Sequence, residues 1–145
     1  MLMEVESWHP GHERSIVVAP SVGDVVSAIA SVRAAESATV SFGEGAEGVT
    51  VAFGDGADAV EILAAGLIIG VSRGHHTAVA VNGDDWMVLV GDPGATGEVE
   101  LNLGGQPAGH PRRRLVSEED ATAVALEFAV TGGLDFSRGA WESPG

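Results

Sequence analysis

The sequence predicts an α+β domain, a mostly antiparallel sheet of about six or seven strands with two principal helices packed on it. Three observations predict it. Apolar residues alternate at period two in several runs between residues 38 and 103, with glycine-rich turns between them. Two stretches, 21–36 and 115–133, instead repeat apolar residues at helical spacing behind a serine cap. No internal repeat or compositional break divides the chain, so residues 1–145 read as one domain with a short frayed tail from about 142.

Val5–Trp8 and Ile16–Ala19 read as short strands, with His9-Pro10-Gly11-His12 as the turn between them. His9 and His12 are spaced like metal ligands, but no third ligand of defined spacing follows, so a turn is preferred. Pro20-Ser21 opens the first helix, with Ser21 as N-cap and Asp24 closing the box. Val22, Val25, Val26, Ile29 and Val32 form its apolar stripe, Arg33 complements the dipole, and the helix should stop near Glu36.

Residues 38–42 and 49–53 alternate cleanly and predict an antiparallel hairpin across GEGAEG. That turn matches G-x-G-x-x-G, but a dinucleotide fingerprint needs a helix to follow, and Glu44 and Glu47 would repel phosphate. GDGADA (54–59) fails as a Rossmann turn because Asp55 and Asp58 carry the wrong sign. It fails as a calcium β-roll because one imperfect repeat cannot share ions with a stacked neighbour. Residues 60–72 predict a central strand buried on both faces, with Gly66 and Gly70 at bends or close contacts.

Residues 75–81 and 86–91 predict a second hairpin around Asn82-Gly83. Neighbouring His75 and His76 point opposite ways there and cannot chelate together. Asp84, Asp85 and Trp86 fall at its tip, where Trp86 is expected to fold back into the core; exposed, it would anchor an interface. In residues 98–103, Val99, Leu101 and Leu103 are expected inside, with Glu98, Glu100 and Asn102 in water. Residues 104–114 read as a loop ending in the basic run Arg112–Arg114, solvated or paired with nearby acids.

The closing helix is the best marked. Ser117 and Asp120 form a cap box, and Val116 staples onto Ala121. Ala121, Val124, Ala125, Phe128 and Ala129 make one apolar stripe, to be laid on the preceding strands, and Gly132 and Gly133 end the helix.

Composition narrows the function. Twenty-one acids face seven bases, all arginine, for a net charge of −14. Such a surface repels nucleic-acid backbones and attracts a basic partner, although acidity also serves plain solubility. With no cysteine, the chain has no thiol nucleophile, disulfide or thiolate metal site. No H-E-x-x-H, G-x-S-x-G or Walker loop occurs, and no histidine falls in a motif with a nucleophile and carboxylate. The expectation is therefore a non-enzyme without cofactor or metal. No apolar run reaches membrane-span length, and the acidic N-terminus lacks a secretory pattern, so cytoplasmic residence is expected.

Over residues 115–142 the pattern resembles immunity protein family one of bacterial polymorphic toxin systems. The matching residues are Val116, Ser117, Ala121, Ala125, Phe128, Thr131, Gly132 and Trp141. The chain has Asp135 where the family commonly has proline, and its tail is about one residue longer. The resemblance implies an antitoxin that binds and blocks a toxin domain, often a nucleic-acid deaminase. A deaminase needs a basic substrate channel, which an acidic protein can occupy, and zinc-binding cysteines, which this chain lacks. Glu44, Glu47, Asp55, Asp58, Asp84, Asp85 and Trp86 are the expected partner contacts. The alternative is a small acidic ligand-binding or regulatory module with no toxin partner.

Overall fold

Period-two alternation decides which face a side chain takes, not which strand lies beside it. The computed structural model describes residues 1–8, 11–43, 49–52, 59–62, 65–82, 85–137 and 140–144. The strands are β1 (Leu2–Trp8), β2 (Glu13–Val18), β3 (Ser37–Gly43), β4 (Val49–Ala52), β5 (Ala59–Ile62), β6 (Ala65–Ser72), β7 (His75–Asn82), β8 (Asp85–Leu89), β9 (Glu98–Leu103), β10 (Gln106–Pro111) and β11 (Trp141–Glu142). The helices are α1 (Val22–Ser31) and α2 (Glu118–Thr131), with a 3-10 turn at Arg112–Arg114. Seven strands form one antiparallel sheet in the order β11-β8-β7-β6-β3-β1-β2, while β9–β10 and β4–β5 form separate two-stranded ladders. This is the expected α+β architecture.

The registers place Val17, Met3, Phe42, Leu67, Ala80 and Met87 in one row across the sheet. Met3, Phe42, Leu67 and Ala80 in that row are buried, with Val40, Ile69 and Val71 beside them, under Val25 and Ile29 of α1 and Ala121, Ala125 and Phe128 of α2. Both helices start as their sequences require. Ser21 accepts from Asp24 N–H at 3.1 Å while Asp24 accepts from Ser21 N–H at 2.9 Å. Ser117 accepts from Asp120 N–H at 3.0 Å, and Gly132 ends α2 in the left-handed region, at φ 78°.

Several expectations are corrected. The predicted hairpin of residues 38–42 with 49–53 does not form: β3 pairs with β1 and β6, and β4 pairs with β5. The fully buried Ala38, Val40 and Phe42 explain this, since a strand this apolar gains most from a place inside the sheet. The run 60–72 divides into β5 and β6, and only β6 is central. Of the apolar stripe expected on α1, Val25, Ile29 and Val32 are buried, but Val22 and Val26 are exposed and Ala28 joins the core instead. The helix stops at Ser31, short of Glu36, and Arg33 binds Glu118 on α2. Thus α2 lies against α1 as well as the strands. Asn102 is buried because β9 lies over the sheet's second face. There Asn102 N–H donates to Ser72 Oγ at 3.0 Å, and Ser72 Oγ donates to the Glu36 carbonyl at 2.9 Å. The expected loop at 104–114 is largely β10, turned at Gly104 and Gly105, whose φ values of 62° and 77° suit a two-residue hairpin turn.

The other glycine expectations hold as close contacts. A Cβ on Gly66 would stand 2.5 Å from the Phe128 ring, and one on Gly70 would stand 2.7 Å from Thr77 Oγ1. The β3–β6 ladder also slips one residue between Phe42 and Gly43, opposite Gly66.

Candidate partner-binding surface

Of the expected contacts, Glu44, Glu47, Asp55, Asp58 and Asp84 lie outside the described residues. Asp85 and Trp86 are described, and both are exposed at the start of β8. The ladder pairs Asn82 with Asp85 and Val81 with Trp86, which fixes the indole on the face opposite the helices. Trp86 is 47% exposed, so it does not fold back into the core. Val81 and Val88 on that side leave it a partial apolar seat, and a large aromatic held this way suits an interface anchor.

Across the sheet the same face ends in Ile16 and Val18 on β2, at 38% and 74% exposed. Five inter-strand steps separate β8 from β2, roughly 24 Å at ordinary strand spacing. β9 lies over this face between them, on β3 and β6, so Trp86 and the β2 pair form two separate exposed patches. The exposure of Ile16 and Val18 was not foreseen, because a run of β-branched residues looks the same in an edge strand as in a central one.

The electrostatics follow from how the arginines are spent. Arg14 pairs with Glu4 at 2.9 Å, and Arg33 makes a two-pronged bond to Glu118, with both contacts at 2.6 Å. Arg73 pairs with Glu36 at 2.7 Å, and Arg113 and Arg114 both bind Glu142, at 2.8 and 3.1 Å. The positive charge is therefore largely neutralised within the molecule. Glu13, Asp92, Glu98, Glu100 and Glu119 remain exposed and leave a negative field over the surface. The basic run at 112–114 is mostly paired rather than a solvated patch.

Among the described residues, which do not include His9, the histidines do not assemble into a site. His12 bonds Glu6 at 2.6 Å and stacks on Trp8, with ring centroids 5.6 Å apart. His75 and His76 take opposite faces as expected. Among the described residues no three side chains of metal-binding type converge. His76, only 3% exposed, lies where β7 meets the chain entering α2, and Val116 N–H donates to its carbonyl at 2.9 Å. Its Nε2 is buried without a hydrogen-bond partner, the nearest carboxylate oxygen on Glu118 being 3.9 Å away. Burial pushes the imidazole below its usual pKa of 6.5, outweighing the attraction of Glu118. Glu118 is itself held below the ordinary carboxylate range, chiefly by its hydrogen bonds from Arg33.

A pH dependence follows. Between the depressed folded pKa and 6.5, the unfolded chain holds a proton on this histidine that the folded chain does not, so stability falls as pH drops through that window. Urea midpoints measured from pH 7 to 5 should decline more steeply for the native chain than for His76→Gln. Parallel curves would show that His76 does not titrate differently on folding.

No helix among the described residues is long and apolar enough to cross a membrane. Compared with known proteins, the chain matches no family model, no curated protein and no solved structure.

Proposed function

We propose that this chain is an immunity protein, a non-catalytic cytoplasmic antitoxin that binds a polymorphic toxin domain, a nucleic-acid deaminase, and blocks its active site. The observation that carries this reading is the charge arrangement. Arginines consumed in internal ion pairs leave an acidic exterior, and an exposed tryptophan stands on the face of β8 opposite the helices. An acidic surface speeds encounter with a basic substrate channel, and a desolvated aromatic slows release. The resemblance at Val116, Ser117, Ala121, Ala125, Phe128, Thr131, Gly132 and Trp141 supports the same reading. Most of these residues build the α2 packing and the β11 edge, so they bear on kinship rather than on the contact surface.

The test is co-expression with the cognate toxin domain, which this reading places at the C-terminus of a secreted protein encoded in a neighbouring gene. Cells should survive with the native chain and die without it. Purified, the pair should associate more slowly as salt rises. Trp86→Ala should weaken binding by about 2 kcal/mol, roughly 30-fold in Kd, without changing thermal stability. Undiminished killing in the presence of the folded native chain would end the proposal.

A further inference from the structure

We propose that the outer edge of β2 is a strand-addition site for an extended, basic segment of a partner protein. The partner's identity rests on the antitoxin reading; the edge itself is argued from geometry.

The sheet has two unequal borders. At one end β11 is only two residues long, Trp141–Glu142; at the other β2 runs six, Glu13–Val18. Ala19 N–H donates to the Met1 carbonyl at 2.8 Å, which makes Met1 and Ala19 a hydrogen-bonded pair. Such pairs recur at every second residue of an antiparallel ladder, so Val17 and Ser15 direct their backbone groups to β1. Ile16 and Val18 therefore direct their N–H and C=O groups away from β1, where the sheet has no further strand among the described residues. Natural edges are usually blunted by lysine, proline or a bulge. β2 contains no lysine or proline, its ladder with β1 is unbroken, and two of its three β-branched side chains, Ile16 and Val18, are exposed.

A groove runs beside this edge on the helix face, because α1 does not cover β2. Its central part, a cavity of about 300 Å³, is walled by Ser15 and Val17 on one side and Asp24, Ser27, Ala28 and Ser31 on the other. A second cavity of about 420 Å³ extends it along β2 past Glu13. The small α1 side chains leave room for alternate residues of an added strand. Glu13 and Asp24, both exposed, flank the groove toward its two ends and favour basic residues there. Self-pairing of two such edges would bring two chains of net charge −14 together, with Glu13 and Asp24 repeated on each side. Charge thus selects a basic partner over a second copy.

The alternation specifies a probe: the peptide KVSVKVR places basic and small residues toward the groove and valines beside Ile16 and Val18. Amide hydrogen exchange on the full chain is read alone, with this peptide, and with the cognate toxin domain that the antitoxin reading requires. In the free chain, Ile16 and Val18 amides should exchange quickly while Val17 is protected. Either probe should slow Ile16 and Val18 at least tenfold. Ile16→Pro deletes an outward N–H and no bond of the β1 ladder, and should cut affinity for both probes at least tenfold while leaving Val17 protected. The N-methylated peptide, lacking its own donors, should fail to bind the native chain, a result that requires no variant to fold. If the toxin domain binds and leaves Ile16 and Val18 fast, the edge proposal is overturned and the antitoxin reading stands. If the peptide protects the edge and the toxin domain does not bind, the edge stands and the antitoxin reading falls. Binding of neither ends both. Protection already present in a free dimer would overturn the proposal in favour of self-pairing.

Discussion

Replacing Phe128 with alanine should remove about 3–5 kcal/mol of folding free energy, close to the whole margin of many domains. The ring reaches from α2 onto β3 and β6 of the sheet. It meets Phe42 edge to face, with centroids 6.4 Å apart and planes at 62°, and fills the space left by the missing side chain of Gly66. The surrounding strands cannot collapse into the void without breaking their ladders, so the cavity cost adds to the lost burial. With an m-value of about 2 kcal/mol per molar, the urea midpoint should fall by roughly 1.5–2.5 M. Gly66→Ala should also destabilise, and Phe128→Leu should recover part of that loss in the double variant, because the two positions share one space. A Phe128→Ala midpoint within 0.5 M of native, roughly 1 kcal/mol at that slope, would mean that the ring is not packed against β6.

Gly91→Ala should be comparably damaging for a different reason. A Cβ at this position would stand 1.9 Å from the Leu115 carbonyl oxygen and 2.9 Å from its carbonyl carbon. Both are backbone atoms, so no rotamer change relieves the clash. The same junction holds Gly91 N–H on the Arg113 carbonyl at 2.8 Å and Val90 N–H on the Ala140 carbonyl at 2.7 Å. Adding the methyl must separate the end of β8 from the segment that leads into α2. A loss of about 3 kcal/mol or more is expected in thermal or urea unfolding. Gly133→Ala is the control: nothing lies within 4 Å of its added Cβ, and it should be near neutral. Equal stability of the two variants would refute the described junction.

Local signals explain what the sequence revealed. The caps at Ser21 and Ser117, the left-handed Gly132 and the β7–β8 hairpin each depend on residues a few positions apart. Strand neighbours were hidden where pairing is long-range: nothing near residues 37–43 announces that β1 and β6 will flank β3. Strand β10 was hidden by Pro107, Gly109 and Pro111, which normally read as loop. Its place at the outside of a two-stranded ladder relaxes that rule, since a proline nitrogen can face away from the partner. The Gly104-Gly105 pair was the available clue. For the interaction surface, the acidic excess was legible by counting. The exposure of Trp86 and the bare side of β2 depend on sheet order, which composition does not contain.

The position of β11 has a bearing on proteolysis. Trp141 and Glu142 line the outer side of β8 and supply the carboxylate shared by Arg113 and Arg114. A chain cut just before Trp141 would carry β8 unlined and two arginines without that counter-ion. Clipping there would therefore leave a nearly complete sheet with a sticky border, prone to capture by chaperones or by other copies of itself.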